Sequence, residues 1–567
     1  MEASSKNTVQ ALQMGDPYPG RQHTLLAQIP TWDAMVNFGQ RNPQALAAAT
    51  HGYPRSIIHP DVCRLGFKIK GKLHRGAEDL LVLLFSSASL ALSCREYAIH
   101  LLRRDEKSSD SDNLIQLHSI HFDARCLDHQ GDCSPPSIHA VVCHPEVSQF
   151  ARAFWERAGP GISSRLALNC LQHLSDAQIV SLGPVCEERP ESNASVIYET
   201  IRSRIAALAE RAARPPQRRK KTASSDVYLY QSGMAAIYQV HKLLLGWRGG
   251  ESAHVGLLYG PTLKVLETQG PGLRSYSLGT EADLDRLAAQ QEVLAQEGRP
   301  LQAVWCECPS NPLLQTVDFH RLRQLADQHR MVVIVDDSVG SFANVDMLGV
   351  ADILVTSLSK FFSGKADVMA GSVILNPNSP HWTQLHELMT ASYHNDVFVD
   401  DAIQLEYNSR DFLDRVANIN RTTQYLIDKL APLVSDLSSP ITRIFYPSLS
   451  PSRKLYERQM RCATKDFRPG YGGLFTIEFA NVATAASFFD NLHIYKGFSF
   501  GADVSIATPY VQMTMQDGKD KAAKWGVKET IIRFSTGFEG PEEIFNRIDT
   551  ALNAANCVWR WRKEPGP

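Results

Sequence analysis

Two short apolar runs near the middle of the chain, each followed at once by polar side chains, constrain the fold most. Residues 332–335 lead into Asp336, and residues 353–355 lead into Ser357, Ser359 and Lys360. Short apolar runs of this kind are typical of strands that are buried in a parallel sheet. Ligands of such sheets bind beyond the carboxyl ends of the strands. We therefore expect Asp336 and Lys360 to lie at one site.

The residue types at these strand ends suit a pyridoxal phosphate (PLP) enzyme. Lys360 can form the Schiff base with the cofactor, the hydroxyls of Ser357 and Ser359 can bind its phosphate, and Asp336 can keep its ring nitrogen protonated. Asp337 is the competing acid. An ordinary surface lysine does not suit a position that directly follows a buried strand. The sequence therefore predicts PLP bound at Lys360.

Strand and helix patterns alternate before these runs, which indicates an α/β fold with a mostly parallel sheet. A strand passes into a helix at Ser232, and further elements are predicted as strands at 254–259 and 303–306 and as helices at 284–296 and 320–329. Ser232 is a good N-cap, and a helix that begins at Gly233 can bind a phosphate through its backbone amides. A capped helix that binds no ligand has the same pattern.

The pattern divides the chain into three regions. Residues 1–222 form an N-terminal extension, first a small α/β unit and then helices, residues 223–433 form the PLP-binding large domain, and residues 434–567 form a smaller α+β domain. Residues 1 to about 50 are polar and rich in turn residues, so we expect an arm or a partly ordered tail. The basic run 218–221 follows two prolines and is typical of a solvated linker.

Composition excludes several classes of function. In this chain of 567 residues, Lys+Arg 58 against Asp+Glu 60 gives a net charge of -2, so no nucleic acid or membrane partner is indicated. The eleven cysteines lack metal-ligand spacing, and we expect reduced thiols in a cytoplasmic protein. The start lacks the features of a signal peptide, and the most apolar stretch, 80–92, falls short of the roughly 20 residues that span a bilayer.

From Asp226 to its end, the chain resembles the cystathionine γ-synthase group of Cys/Met-metabolism PLP enzymes. It is most similar to the long fungal members, which carry an extra N-terminal region. The segments that carry the resemblance are SGMAA at 232–236, YGPTLKVLE at 259–267, ECPSNPLL at 307–314, residues 331–375, GGLF at 472–475 and IIRFSTGFE at 531–539. The resemblance implies an aspartate-aminotransferase-like large domain, a small amino-acid substrate and a homodimer or homotetramer.

The resemblance also implies roles for individual residues. Lys360 holds PLP and moves protons, Tyr259 stacks on the ring, Asn311 lies near the ring oxygen, and Asp336 pairs with the ring nitrogen. Arg533 takes the substrate α-carboxylate, assisted by Ser505. The phosphate is expected to contact Ser232, Gly233, Met234, Ser357 and Ser359. No metal is expected.

Two departures from the family pattern concern the substrate and the neighbouring subunit. Relatives contribute a tyrosine and an arginine across the subunit boundary to the phosphate, whereas this chain offers Arg189 with Val185 in place of the tyrosine. Val504 stands where many relatives that act at Cγ have glutamate. The first departure weakens the inference of a phosphate contact across the subunit boundary, and the second weakens the inference about which substrate is used.

The first hypothesis is γ-replacement on an O-acyl-L-homoserine with the thiol of L-cysteine as nucleophile, as in trans-sulfuration and methionine biosynthesis. The second keeps the homoserine-derived electrophile but joins it to a carbon or amine nucleophile, as in fungal specialised metabolism. A third hypothesis is a non-catalytic paralogue. Against it stands the presence together of Lys360, Asp336, Tyr259 and Arg533.

Overall fold

The computed structural model describes residues 12–49, 51–52, 57–73, 79–106, 112–122, 137–182, 196–215 and 217–563. These residues form three sheets. Their strands, in chain order, are β1 Leu81–Phe85, β2 Ile115–His121, β3 Ser137–Cys143, β4 Gln178–Ser181, β5 Val227–Tyr230, β6 Ser252–Val255, β7 Leu273–Tyr276, β8 Ala303–Glu307, β9 Val332–Asp336, β10 Ile353–Ser357, β11 Gly371–Leu375, β12 Ile441–Phe445, β13 Leu474–Phe479, β14 Tyr495–Lys496, β15 Ile506–Thr508 and β16 Ile531–Ser535.

The α-helices connect and cover these sheets. They are Trp32–Gly39, Pro43–Ala48, Pro60–Leu73, Ala88–Glu106, Pro145–Ala158, Ser164–His173, Val196–Glu210, Gly233–Trp247, Gly260–Thr268, Glu281–Gln296, Phe319–His329, Ser341–Asn344, Trp382–Ser392, Val399–Asn408, Phe412–Leu430, Arg453–Gln459, Val482–Asn491, Tyr510–Thr514, Lys519–Lys524 and Pro541–Lys563.

The central sheet has seven strands in the order β5-β11-β10-β9-β8-β6-β7. Helices cross between its parallel strands, whereas β10 and β11 pair antiparallel and β11 also pairs antiparallel with β5. Helices cover both faces, so the strands read as nearly unbroken apolar runs, and every residue of β8 is buried. The expected α/β class with a mostly parallel sheet is confirmed.

The two other sheets flank the central one. The first, β1-β3-β2-β4, is antiparallel and lies within the N-terminal region, together with the helices Pro145–Ala158 and Ser164–His173. The second, β12-β13-β16-β15-β14, is mixed, since only β14 and β15 pair in parallel. It carries Arg533 on β16, facing the end of the central sheet where β8 and β9 stop.

Two expectations about the N-terminal region are wrong where the structure describes it. Residues 12–49 are not a loose arm, because Tyr18, Leu26, Ile29 and Met35 are buried against the rest of the chain. The basic run is not a solvated linker at Arg218, whose guanidinium is buried between Glu210 and Asp346. Both errors came from polar composition, which does not show what a segment packs against.

Among the residues that the structure describes, no helix combines the length and apolar composition that crossing a membrane requires. Nor does the described part of the chain bring together a group of side chains that could hold a metal ion. No disulfide joins the cysteines that the structure describes, Cys306 and Cys308 among them.

Candidate active site

A cavity of about 80 Å³ opens at the carboxyl ends of β8, β9 and β10. The amino end of the helix Gly233–Trp247 closes one side of it, and Arg533 of the C-terminal sheet closes another. Eight of the residues predicted from the sequence line this cavity: Gly233, Met234, Tyr259, Asn311, Asp336, Ser357, Lys360 and Arg533. The structure therefore brings together segments that lie up to 300 positions apart, since 533 − 233 = 300.

Lys360 lies at the centre of this group. Its backbone amide donates to the carbonyl of Ser357 at 3.2 Å, so a tight turn after β10 directs the side chain into the cavity. Its Nζ donates to Oγ of Ser499 at 2.8 Å and lies 5.1 Å from the centroid of the Phe500 ring. The sequence prediction missed both Ser499 and Phe500, which belong to a loop more than a hundred residues away.

Two carboxylates meet beside the lysine. Glu307 ends β8 and Asp336 ends β9, and these residues pair directly across the two parallel strands. Burial raises the pKa of Asp336, and burial together with the neighbouring Asp336 raises the pKa of Glu307 well above its ordinary value. Two buried acids this close do not both ionise easily unless a cation lies between them. A protonated ring nitrogen is such a cation.

Glu307 also organises the two loops that follow β6 and β8. Its Oε1 accepts from the amide of Tyr259 at 2.6 Å, and its Oε2 accepts from the amide of Asn311 at 3.1 Å. One carboxylate thus holds the backbone of two predicted cofactor contacts. The sequence signal that could have identified it is an acid at the end of a buried strand, the same signal that identified Asp336.

The expected phosphate cradle lies at the start of the helix Gly233–Trp247. Ser232 caps this helix: its Oγ accepts from the amide of Ala235 at 3.0 Å and donates to the carbonyl of Gly159 at 2.9 Å. A Cβ at Gly233 would lie 2.8 Å from Cβ of Ser357, so only glycine leaves this end of the cavity open. Free amides at a helix start beside a hydroxyl favour an anion.

Two serines near the cavity, Ser359 and Ser338, differ from the prediction. Oγ of Ser359 donates to the carbonyl of Ala370 at 3.2 Å and accepts from its amide at 2.9 Å, which closes a local turn. Ser338 was not predicted, yet it lines the cavity, and its Oγ accepts from the amide of Ser357 at 2.7 Å. Ser338 is therefore a neighbour of the phosphate end that the sequence analysis did not find.

Arg533 forms the opposite end of the cavity. Its Nη1 donates to Oδ1 of Asn311 at 3.2 Å and its Nη2 donates to the carbonyl of Ser499 at 3.0 Å. Its Nε is buried without a hydrogen-bond partner among the described residues. Burial lowers the pKa of this guanidinium, and the nearby phenols of Tyr510 and Tyr259 act in the opposite direction. A buried guanidinium with a spare donor suits a carboxylate ligand.

Two of the predicted or competing residues, Ser505 and Asp337, lie outside the cavity, and a third is not among the described residues. Oγ of Ser505 donates to Oε2 of Glu539 and accepts from the amide of Gly537, so its hydroxyl is engaged away from Arg533. Asp337, the competing acid, accepts from Thr356 and does not line the cavity, whereas Asp336 does. Arg189 lies outside the described residues.

These features fit PLP. The helix start at Gly233 and the hydroxyl of Ser357 can take the phosphate, Asp336 can take the ring nitrogen, and Lys360 can hold the aldehyde carbon. Asp336 and Glu307 lie side by side, and Arg533 has a spare donor. A protonated pyridine would add a positive charge beside the two acids, and an amino-acid carboxylate would pair with Arg533.

Comparisons with known proteins agree with this geometry. The family model of the Cys/Met metabolism PLP-dependent enzymes matches residues 220–553, and that of the N-terminal domain of fungal trans-sulfuration enzymes matches residues 61–163. A protein named alanine racemase ungC, from Aspergillus violaceofuscus, is 48% identical, with 98% of each chain covered. A cystathionine gamma-synthase from Neurospora crassa is 29% identical, over 96% of this chain and 98% of its own.

Among solved structures, cystathionine gamma synthase from Xanthomonas oryzae pv. oryzae covers 67% of this chain and 92% of its own, with a TM-score of 0.52 and 20% identity. That likeness concerns the fold. The cofactor of the family is PLP, as the residues at the ends of β9 and β10 predicted. The chain belongs to the Cys/Met metabolism PLP-dependent enzyme family, within its cystathionine γ-synthase-like group.

Proposed function

We propose that this protein is a PLP-dependent racemase of a small amino acid, with alanine as the substrate. The observation that carries the proposal is the position of Phe500. Its ring centroid lies 5.1 Å from Nζ of Lys360 and 5.4 Å from Cζ of Arg533. An aromatic wall therefore borders the space between the group that would hold the cofactor and the group that would take the α-carboxylate.

This geometry restricts the substrate. If Arg533 binds the α-carboxylate and the amino group points to Lys360, then Cα and its side chain lie beside Phe500. A ring at this distance leaves room for a short side chain and disfavours a long one. Val504, which replaces the glutamate of many relatives, packs with Tyr18 and Leu26 and offers no charge to a second amino acid.

Racemisation needs one group that removes a proton from Cα and one that returns it. When bound, PLP withdraws electrons from Cα and so makes its hydrogen acidic. Lys360 would remove that hydrogen, and the phenol of Tyr259, which lines the same cavity, would deliver a proton to Cα. The Lys360 ammonium then gives one proton to solvent and the Tyr259 phenolate takes one from it, which restores both groups. The roles of Asn311, Asp336 and Arg533 in this proposal are to position the ring and the carboxylate.

The comparisons support the proposal through the relative named alanine racemase. Its identity of 48% extends over 98% of both chains, whereas the cystathionine gamma-synthases of Neurospora crassa and Saccharomyces cerevisiae are 29% and 27% identical. A shared reaction is therefore more plausible with the former protein than with the latter two.

The test is incubation of the PLP-loaded enzyme with L-alanine in D₂O. We expect D-alanine, measured by chiral chromatography, and deuterium at Cα of both enantiomers, measured by mass spectrometry. Lys360→Ala is the control for background exchange. A wild-type enzyme that gives neither D-alanine nor deuterium at Cα would rule the proposal out.

The second candidate is γ-replacement on an O-acyl-L-homoserine with cysteine, which the cystathionine γ-synthase-like relatives favour. Incubation with O-acetylhomoserine and cysteine, and with carbon and amine nucleophiles in place of cysteine, separates it from racemisation. Cystathionine would identify trans-sulfuration. A product with another nucleophile would identify the specialised-metabolism variant.

We also propose a homodimer or homotetramer and a division of the chain at residues 222 and 433. Val196, Ile403 and Tyr407 support the oligomer, because they are large apolar side chains on two packed helices that remain 80%, 41% and 64% exposed. Light scattering of the purified protein measures the mass directly. A mass of one chain, 63.0 kDa, would contradict the oligomer.

A further inference from the structure

The N-terminal segment, defined as residues 18–38, packs against the loop that carries Ser499 and Phe500. This loop, residues 496–503, is called the site loop below. The amide of Ile29 donates to the carbonyl of Lys496 at 3.0 Å, and the Lys496 amide donates to Oε1 of Gln28 at 3.0 Å. The rings of Phe38 and Phe498 stack with centroids 5.5 Å apart. Backbone hydrogen bonds and a ring contact therefore both join the N-terminal segment to the site loop.

The site loop lies directly on Lys360. Gly501 has φ of +77°, and a Cβ there would be 2.7 Å from the amide nitrogen of Phe361. From this position the loop places Oγ of Ser499 at 2.8 Å from Nζ of Lys360 and its carbonyl at 3.0 Å from Nη2 of Arg533. A small shift of the site loop would change the environment of both cations.

Arg21 connects the site loop to the loop that follows Lys360. Its guanidinium forms a two-pronged ion pair with Asp503, with Nη1 to Oδ1 at 3.2 Å, and Nη1 also donates to the carbonyl of Lys365. The side chain of Asp503 is 12% exposed and that of Arg21 is 33% exposed, so solvent screens the pair only in part. The guanidinium of Arg21 thus ties together two adjacent loops, which Nζ of Lys365 and Oδ2 of Asp503 also join at 3.5 Å.

Next to this contact the N-terminal segment also runs along the loop that follows Lys360, residues 361–370. The amide of Leu25 donates to the carbonyl of Ala366 at 2.7 Å, and Leu25 packs with Met369 and Phe498. The separation between Arg21 and Asp503 is 482 positions, so the contact is made only in the folded chain.

We propose that Arg21 is a positioning residue for the reaction: through Asp503 and the Lys365 carbonyl it holds Ser499 against Lys360. The N-terminal segment is then part of the active site of its own chain. The proposal requires only that Lys360 carries the cofactor, and it applies to either candidate reaction. The position of Ser499 relative to Lys360 matters because displacement of a catalytic group by about 1 Å can lower the rate by a factor of about 100.

The experiment compares Arg21→Ala with Arg41→Ala in the PLP-loaded enzyme. Arg41 lies in the same region of the chain, but its side chain is 78% exposed and its ion pair with Glu156 spans 3.4 Å, so it is a matched control. The pH titration of the visible absorbance of the bound cofactor reports the surroundings of Nζ of Lys360. The exchange of the Cα hydrogen of L-alanine in D₂O reports the rate.

We expect Arg21→Ala to shift the midpoint of the absorbance titration and to lower kcat roughly 10-fold, with a smaller change in KM. Arg41→Ala should match the wild type in both readings. Asp503→Ala should reproduce the effect. In the double variant Arg21→Ala/Asp503→Ala the two effects should add to less than their sum, because both changes remove the pair of Arg21 with Asp503, although Asp503→Ala also removes the 3.5 Å contact of Asp503 with Nζ of Lys365.

The proposal is overturned if Arg21→Ala gives the absorbance titration and kcat of Arg41→Ala, or if the effects at 21 and 503 simply add. Where Arg21→Ala does not fold, Arg21→Lys and Asp503→Asn give the same comparison, since each keeps most of the packing and loses the two-pronged pair. If no variant or wild type exchanges the Cα hydrogen, the proposed racemase activity fails, while the absorbance titration still decides the role of Arg21.

Discussion

The two ends of the active site are built in different ways. At the cofactor end, Asp336, Ser357 and Lys360 follow directly on the buried strands β9 and β10. At the substrate end, Arg533 on β16 faces Phe500 of the site loop, which in turn depends on Arg21. The acid, the hydroxyl and the lysine of the first end lie within residues 336–360, whereas the second end is assembled from three distant parts of the chain.

This difference separates the properties that each end is expected to control. A change in a strand-end residue removes the cofactor and with it every reaction of the family. A change in the site loop or in the N-terminal segment leaves the cofactor in place and alters the space around Cα. One fold with one cofactor end can therefore serve different reactions.

The largest expected effect is at the cofactor end. Lys360→Ala should lower the rate of Cα hydrogen exchange by at least about 10³-fold, because the group that moves the proton is lost. The bound cofactor should also lose its lysine-dependent visible absorbance. Stopped-flow absorbance and the D₂O assay measure the two effects. A Lys360→Ala protein with a rate within tenfold of the wild type would place the proton transfer on another residue.

At the substrate end, Arg533→Ala should raise the KM for L-alanine by about 100-fold while the cofactor colour persists, because a buried guanidinium that binds a carboxylate is removed. Arg533→Lys is the matched control and should recover part of the affinity, since it keeps the charge without the fork. Loss of the colour in Arg533→Ala would mean that Arg533 serves the cofactor end instead.

How far the sequence could predict the site follows from the same difference. The mostly parallel sheet and the acid and lysine at its edge could be predicted because apolar runs mark buried strands, and parallel strands end at one edge. Ser499 and Phe500 could not, since no local pattern shows which loop folds over Lys360. The hydroxyl of Ser359 closes a local turn instead, which its position after β10 did not reveal.

For a related reason, polar composition gave two wrong predictions for the N-terminal region, a loose arm and a solvated linker. Residues such as Arg21 and Gln28 are polar in sequence, yet the Arg21 guanidinium and Oε1 of Gln28 bind the site loop. Composition measures what a segment could expose to water, and not which partners it meets. The contact of Arg21 with Asp503 becomes visible only when residues 482 positions apart are placed side by side.

A smaller effect is expected from Phe500→Ala. Removal of the ring should open the space beside Cα and raise the kcat/KM for 2-aminobutyrate relative to alanine by about 10-fold, since one methylene in an apolar pocket is worth about 1–3 kcal/mol. Competition assays with both amino acids measure the ratio. The control is Phe67→Ala, because Phe67 is 72% exposed on a distant helix. An unchanged ratio would show that Phe500 does not limit the size of the substrate.

The smallest effect on activity concerns Asp337, which is adjacent to Asp336 but faces the core. Burial raises the pKa of Asp337 to about 7, while the hydrogen bond from Thr356 opposes the shift, and Oδ2 has no hydrogen-bond partner among the described residues. The folded state therefore favours the protonated acid. Protonated Asp337 contributes stability that is fully present below pH 4 and is lost as the pH rises to about 7.

Asp337→Asn mimics the protonated acid at every pH. Between pH 4 and pH 8, the free energy of unfolding of the wild type should fall relative to that of Asp337→Asn by on the order of 3 kcal/mol, from the raised pKa. Urea unfolding of both proteins at saturating PLP measures it, with the exposed Asp520→Asn as control. Cofactor colour and rate should persist in Asp337→Asn and be lost in Asp336→Asn. If colour and rate were instead lost in Asp337→Asn and kept in Asp336→Asn, Asp337 would be the acid that faces the ring nitrogen. The acid at the end of β9 would then have been the wrong choice.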